Sequence, residues 1–310
     1  ITDGFRSTDR TTGIRADQNI AITPSLILEL GLDIVNHGGR ARNKLSALDY
    51  GRHTRSSVAE FGRLQWTATR RLRLHSGARY EYNSLFGSTT VPEFGASFNL
   101  RDGYSISAEV ARGFRNPTIR ELYLFPAPNP ALRPEHIWNY QTTFQAHPAK
   151  SLTASITGYY ADLDNLIVTT GRYPNLQLLN TGAALNRGIE TTWRWRAHGR
   201  IALQGGYAYL RSTNLAPYVP GQKVTYGVDI DTSRAFVYFG GMSVGSRWAN
   251  TQHSRKLDAY TFGSLQFTVP IHRQWRLTAI VDNLFNERYE VVTGYPMPGM
   301  NAAGGLTVSF

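Results

Sequence analysis

Leu26-Ile27-Leu28-Glu29-Leu30-Gly31-Leu32-Asp33-Ile34 sets an apolar side chain at every second position from Leu26 and puts Glu29 and Asp33 between them. A two-residue period belongs to an extended strand, whose successive side chains point to opposite faces, so the segment has one dry side and one wet side. The pattern recurs along the chain. Leu72, Leu74, Ala78, Tyr80 and Tyr82 alternate with Arg73, His75, Arg79 and Glu81, and Trp138, Tyr140 and Phe144 with Asn139, Gln141, Thr143 and Gln145. Leu152, Ala154, Ile156 and Tyr160 alternate with Thr153, Ser155 and Thr157, and Trp193 and Trp195 with Glu190, Thr192, Arg194 and Arg196. Helical periodicity is hard to find, and the chain reads as all-β.

Two properties of these series separate a membrane sheet from a soluble one. The quoted apolar positions carry no charge, as lipid requires, because an Arg or Lys at the bilayer midplane costs about 2–4 kcal/mol. The alternating stretches run to about ten residues or more, longer than the five or six usual in soluble sheets and near the 9–11 that cross hydrocarbon at a tilt. Tyr and Trp gather near their ends, as in an interfacial girdle. A mean hydropathy of -0.32 is no obstacle, since every second residue of such a strand faces a polar lumen. No apolar run approaches the roughly 18 residues of a membrane helix.

The connections alternate between short and long. Short ones lie at Thr23-Pro24, Thr69 to Arg71, Arg101-Asp102-Gly103, Pro148-Ala149-Lys150, His198-Gly199-Arg200, Thr232-Ser233-Arg234 and His272-Arg273-Gln274. Between them come roughly His37 to Arg52, Ser84 to Ser88, Arg115 to Pro134, Asp162 to Asn175, Asn214 to Gln222, Ala249 to Lys256 and Glu287 to Pro298. Tight turns on one side and long loops on the other predict an antiparallel transmembrane β-barrel with periplasmic turns and external loops. Counted from Thr12, the connections separate about fifteen strands, and Ile1 to Thr8 offers one more. The last strand, Gly304 to Phe310, ends the chain on an aromatic residue.

A length of 310 residues suits two soluble domains or one large closed sheet. The 17 Tyr, 14 Phe and 6 Trp, against 18% charged residues, exclude a disordered chain. Absence of Cys excludes a disulfide framework, a thiolate metal site and a Cys nucleophile. The formal charge is +11, and of 33 basic residues only Lys44, Lys150, Lys223 and Lys256 are lysine. Such basicity fits nucleic acid, an anionic membrane surface or an anionic ligand. No nucleic-acid motif is present, and solvated loop arginines are the plainer reading. Gly241-Met242-Ser243-Val244-Gly245 matches a nucleophile elbow, but that motif needs a strand turning into a helix, and here it lies inside an alternating strand. The eight His are scattered, and Asp162 with Asp164, or Asp229 with Asp231, lack the rest of a Ca²⁺ loop. No enzyme activity, resident metal or cofactor is expected.

At Ala111-Arg112-Gly113-Phe114-Arg115-Asn116-Pro117-Thr118-Ile119-Arg120-Glu121-Leu122-Tyr123 the sequence resembles the barrel of TonB-dependent outer-membrane receptors. Three later stretches agree in order: Asn129-Pro130-Ala131-Leu132-Arg133-Pro134-Glu135, then Asn180-Thr181-Gly182 with Asn186-Arg187-Gly188-Ile189-Glu190, and Val281-Asp282-Asn283-Leu284-Phe285-Asn286-Glu287-Arg288-Tyr289-Glu290. Gly294-Tyr295-Pro296-Met297-Pro298-Gly299 is similar to the vitamin B12 and siderophore branches, and Phe310 resembles the end signal of outer-membrane proteins. Arg115, Asn116, Pro117, Asn129, Pro130, Pro134, Glu135, Asn283, Leu284 and Phe285 also read as architectural punctuation.

The resemblance implies a bacterial outer-membrane importer of a scarce solute, a ferric siderophore or a corrinoid. It would be driven by the TonB-ExbB-ExbD system through an N-terminal plug, in a barrel of the 22-stranded class. Residues 1–310 are then expected to be a C-terminal portion of that barrel without plug or first strands, monomeric, in contact with membrane lipid and lipopolysaccharide. An open porin is the nearest alternative, and a soluble β-sheet module a more distant one. Ligand contacts are sought on the loops: Arg40, Arg42, Lys44, Arg52, His53 and Arg55 form a basic cluster suited to an anionic chelate or to lipopolysaccharide phosphate. Tyr123, Phe125, Tyr173, Tyr218 and Tyr295 can stack on a planar or hydrophobic ligand.

Overall fold

The structure is a computed structural model that describes residues 4–124, 127–171, 174–214, 216–232 and 234–309. Its strands are β1 (Phe5–Thr23), β2 (Leu26–Asn43), β3 (Leu48–Thr67), β4 (Leu72–Asn83), β5 (Gly87–Arg101), β6 (Tyr104–Arg115), β7 (Glu135–Ala149), β8 (Leu152–Thr170), β9 (Gln177–His198) and β10 (Ile201–Ser212). They continue with β11 (Gln222–Asp231), β12 (Phe236–Val244), β13 (Arg247–Trp248), β14 (Lys256–Leu257), β15 (Tyr260–His272), β16 (Trp275–Asp282), β17 (Glu290–Val292), β18 (Tyr295–Pro296) and β19 (Asn301–Val308). One short helix, α1 (Ile119–Tyr123), precedes β7. Fifteen strands form one antiparallel sheet in chain order, from β1 to β12 and then β15, β16 and β19. The pairs β13 with β14 and β17 with β18 make small hairpins in the connections.

The chain divides into two compact units, the first holding Ile1–Phe98, Ser107–Gln141 and Tyr160–Leu185, the second Asn99–Ile106, Thr142–Tyr159 and Asn186–Phe310. In the first, Ile14, Ile34, Val58 and Tyr82 stand opposite one another across β1 to β4, and so do Leu26, Trp66 and Leu74 nearer the turns. This apolar face is uncovered: Ile14 is 72% exposed and Tyr82 55%. Glu60, between Leu32 and Tyr80, is an acidic exception on it. On the opposite face Arg79 Nη1 meets Asp33 Oδ2 at 2.5 Å and Arg79 Nη2 meets Glu81 Oε2 at 3.3 Å. There a Cβ at Gly31 would lie 2.0 Å from Phe61 Cζ, so a larger residue would displace the Phe61 ring.

The second unit repeats the division. Trp195, Leu203, Val228, Phe239, Leu265, Val281 and Ala302 share one level of one face from β9 to β19. On the other face Arg194 donates to Gln204 Oε1 at 2.6 Å and to Asp229 Oδ2 at 2.5 Å. Buried apolar residues are mostly small, among them Ala41, Ala59, Ala161, Ala184 and Ala202. A soluble sandwich would bury its Leu, Trp and Tyr series as its core. Here the greasy faces stay outside, as a lipid-facing sheet requires.

Three sequence expectations need correction. Phe5 to Thr8 are not a separate strand, because β1 runs unbroken from Phe5 to Thr23; Ile1 to Asp3 lie outside the described residues. His37 to Arg52 is not a long loop: β2 and β3 continue to a turn at Lys44–Ala47, with Ala47 at φ 53°. Asp162 to Asn175 shrinks likewise, since β8 reaches Thr170. From Asn36 to Arg42 the ladder continues where both faces are polar and hydropathy carries no signal, whereas in β8 the pairing runs on through Leu163, Leu166, Ile167 and Val168 despite the acids Asp162 and Asp164 that suggested a loop.

Candidate ligand site at the loop end

The connection from Arg115 to Pro134 is a tied structure. Pro117, fully buried, has no N–H to continue the β6 ladder. Thr118 then caps α1: its Oγ1 accepts from the Glu121 amide at 3.2 Å, while Glu121 Oε2 accepts from the Thr118 amide at 2.7 Å. Reciprocal capping of this kind contributes about 1 kcal/mol. Arg115 grips Glu121 through two nitrogens, at 3.0–3.2 Å, and Glu135 Oε2 at 2.5 Å. Burial pushes the Glu121 carboxyl up, but the Arg115 and Thr118 hydrogen bonds outweigh it and hold the group below the usual carboxylate range. The Arg115 guanidinium is pushed further up, by the Glu135 hydrogen bond first and Glu121 next, against burial.

Neighbouring strands fasten this connection. Arg55 Nη1 donates to the Pro117 carbonyl at 2.9 Å, Asn116 Nδ2 to Glu81 Oε1 at 3.2 Å, and the His53 and Tyr123 rings stack with centroids 3.9 Å apart. Asn129 Nδ2 donates to the Leu178 carbonyl at 2.7 Å, and Asn180 Nδ2 to the Arg133 and Asn165 carbonyls at 2.9 and 2.7 Å. Glu135 Oε1 accepts from the Ile167 amide at 2.7 Å. Arg115, Asn116, Asn129 and Glu135 are thus hydrogen-bonding hubs of the segment.

A cavity of about 520 Å³ opens beside α1, lined by Phe5, Ser7, Asp9, Asn43, Tyr50, Ile119, Arg120 and Leu124. Apolar rings with one cation, one carboxylate and an amide can hold part of an amphipathic ligand. None of these lining residues stands out in sequence, because the site joins the first strand to a helix far along the chain.

The basic cluster separates by face. His53 pairs in register with Gly39 and Arg55 with His37, on the face that holds α1. Arg40 and Arg52 face each other on the opposite, apolar-bearing side, where Arg42 pairs with Arg6. Arg40 is tied to Asp49; that contact and the Gly51 amide hold the Asp49 carboxyl below its ordinary value. Lys44 sits in the hairpin turn. The fold therefore joins Tyr123, His53 and Arg55 and leaves Arg40, Arg42 and Arg52 apart from them. Phe125, Tyr173 and Phe310 lie outside the described residues.

In the second unit the loop end is built on Asn283 and Arg247, both buried. Asn283, at φ 51°, donates through Nδ2 to the Glu287 and Pro298 carbonyls at 2.9 Å each, and its Oδ1 accepts from the Glu287 amide at 3.0 Å. The Leu284 amide donates to the Gly263 carbonyl at 2.8 Å, and the Phe285 ring covers Gly263. Arg247 donates to the Glu290 carbonyl and sits 5.0 Å above the Tyr260 ring, which stacks on Tyr289 at 4.1 Å. Burial pushes the Tyr289 phenol up, with Tyr260 adding to it. Tyr218 donates its amide to the Trp248 carbonyl at 2.7 Å, and Tyr295 is an exposed tip of β18. Ser243 lies within β12 with Oγ 2.8 Å from Thr261 Oγ1, so the elbow-like pattern is strand sequence.

A family described as TonB dependent receptor-like, beta-barrel, matches residues 4–284. The vitamin B12 transporter BtuB of Photobacterium profundum is 25% identical over 232 residues, which are 68% of this chain and 36% of that protein. Among solved structures, the copper transporter OprC superposes with TM-score 0.85 at 19% identity, over 99% of this chain and 57% of that one. The siderophore receptor PirA of Acinetobacter baumannii gives 0.82 at 17%, over 98% and 55%. The chain spans little more than half the length of the solved relatives.

Proposed function

The chain belongs to the TonB-dependent receptor β-barrel family, a family of the bacterial outer membrane, and from that premise we propose that it forms ligand-capturing wall of an active importer. Residues 1–310 are read as a C-terminal portion of the receptor barrel, acting as a monomer, with energy delivered by the TonB-ExbB-ExbD system through a plug encoded elsewhere in the gene. The solute is a ferric siderophore or a corrinoid, large ligands whose capture suits polar, aromatic-lined connections. No covalent step is assigned to the chain. The observation that carries the reading is the cavity against α1, walled by a connection that Arg115, Asn129 and Glu135 hold in place.

The test is uptake of labelled ferric siderophore and labelled cobalamin by cells with and without the complete gene, each with and without collapse of the inner-membrane proton gradient. Gene-dependent uptake of one of them, abolished by the collapse, is expected. Uptake indifferent to both would sink the proposal.

A further inference from the structure

The second unit ends, on the side away from its long connections, in five tight turns, which join β5 to β6, β7 to β8, β9 to β10, β11 to β12 and β15 to β16. These hairpins follow one another in the sheet. Each turn presents a cation at its tip: Arg101, Lys150, Arg200, Arg234 and Arg273, all exposed. Among the described residues none of them enters an ion pair. Arg101 lies 4.0 Å from the centre of the Tyr104 ring, a contact that leaves its charge in place. Asp102 and Asp231 are the acids beside these tips.

The tips are held rigidly. In four of the turns a carbonyl accepts from the amide of a neighbouring strand: Gly103 from His147 at 2.6 Å, Ser151 from Arg196 at 2.7 Å, Arg200 from Asp231 and Gln274 from Ser309 at 2.8 Å each. In the turn before β12, Thr232 Oγ1 accepts from the Arg234 and Ala235 amides at 3.3 and 2.9 Å. Successive hairpins lie two strand spacings apart, about 10 Å. The cations therefore form a fixed row, and tight turns of outer-membrane barrels face the periplasm.

Lipid headgroups fit this row poorly. The apolar face keeps its character to the last rungs, at Ile201, Ile230, Val237 and Trp275, while Arg196 and Arg276 lie on the opposite face. A folded protein fits it poorly too, because such docking needs aromatic or similar anchors, and the tips offer Gly, Ala, Ser, Thr and Gln between their cations. A linear polyanion suits it. Each exposed ion pair contributes at most about 1 kcal/mol, but a chain that spans several tips gains by multivalency.

We propose that this rim binds peptidoglycan, whose stem peptides repeat a carboxylate along each glycan strand, and so moors the barrel to the cell wall. Arg101, Lys150, Arg200, Arg234 and Arg273 meet successive carboxylates, and the laced turns keep them in line. The site rests on the outer-membrane placement of the family and is independent of which solute is imported.

The complete gene product, in phosphatidylcholine nanodiscs at low ionic strength, is sedimented with peptidoglycan sacculi stripped of protein. The parent should travel with the sacculi, and the variant carrying R101Q, K150Q, R200Q, R234Q and R273Q should lose roughly tenfold in bound fraction. A second variant, with R211Q, K223Q, R255Q, K256Q and R288Q at the loop end of the same unit, loses the same charge and should bind like the parent. Sacculi whose carboxylates have been amidated should bind little. An unaffected turn variant, an equal loss in the loop variant or undiminished binding to amidated sacculi would each overturn the proposal. Binding only to sacculi that keep their attached proteins would assign the rim to a protein partner instead. A turn variant that loses only retention of phosphatidylglycerol would assign it to headgroups. Import by the same variants is a separate readout, so a failed import assay leaves the wall contact standing.

Discussion

His53 on β3 and Tyr123 at the end of α1 lie flat against each other, with ring planes 4° apart, and His53 Nε2 is 2.7 Å from the Tyr50 carbonyl. The stack fastens a distant connection to the β2–β3 hairpin. Aromatic pairs contribute about 0.5–1.5 kcal/mol beyond their buried area. In a double-mutant cycle of His53→Ala and Tyr123→Ala, read by denaturant unfolding, a coupling energy in that range is expected. Strictly additive losses would show that the rings merely adjoin.

Glu121 gives the connection a defined acid limit. Its folded pKa is depressed, so the stabilisation is complete above the unfolded value of about 4.3 and is lost as pH falls through the lower, folded value. Amide-exchange protection of residues 118–124 should therefore hold from pH 7 to about 4 and decline only in stronger acid. Glu121→Gln should lower the neutral-pH protection and remove its acid dependence. A protected segment already opening near pH 6 in the parent would contradict this assignment.

Arg115→Ala strands Glu121 and Glu135 without their shared cation. Opening of residues 116–134, followed by limited proteolysis, should rise roughly tenfold while the strands stay resistant. Arg115→Lys should recover little, because one ammonium cannot span both carboxylates in the fork geometry. Full rescue by lysine would reduce the role of Arg115 to charge alone.

Asn283 combines a positive φ with three side-chain hydrogen bonds in a buried place. Asn283→Ala leaves the Glu287 amide and two carbonyls unanswered, and should cost about 2–4 kcal/mol in unfolding free energy. Asn283→Gly, which keeps the backbone conformation but not the bonds, should fall between. If alanine proves as stable as the parent, the bend is held by other contacts.

Leu30→Arg on the apolar face should impair folding into bilayers by about 2–4 kcal/mol, and Asn19→Arg on the opposite face of the neighbouring strand by much less. Leu30 is 45% exposed to the surroundings of that face. Similar penalties for the two changes, measured by urea titration in lipid vesicles, would mean that the faces are misassigned.

What was legible in the sequence follows from where hydropathy has contrast. From Leu26 to Ile34, apolar and charged residues alternate and the face of each is evident. From Asn36 to Arg42 both faces are polar, so the strand continues without announcing itself and reads as loop. Thr118 and Glu121 carry the capping-box spacing that marks α1, a signal present but masked by the short helix around it. The cavity residues had no such signal, since Phe5 and Arg120 meet only through the fold. The resemblance drew attention to Arg115, Asn129 and Asn283, but their hydrogen-bond partners, Glu135, Leu178 and Pro298, come from the structure alone.

β2 and β3 run for 18 and 20 residues, roughly twice what an apolar band of about 25 Å requires at a tilt of about 40°. Beyond the headgroups the β2–β3 hairpin therefore stands as a stiff, ladder-bonded mast. An antibody or a phage tail fibre that docks on this tip would meet a rigid ladder and not a soft connection. Leu45, 75% exposed at that tip, is accordingly a natural place to graft a reporter peptide for display clear of the surface.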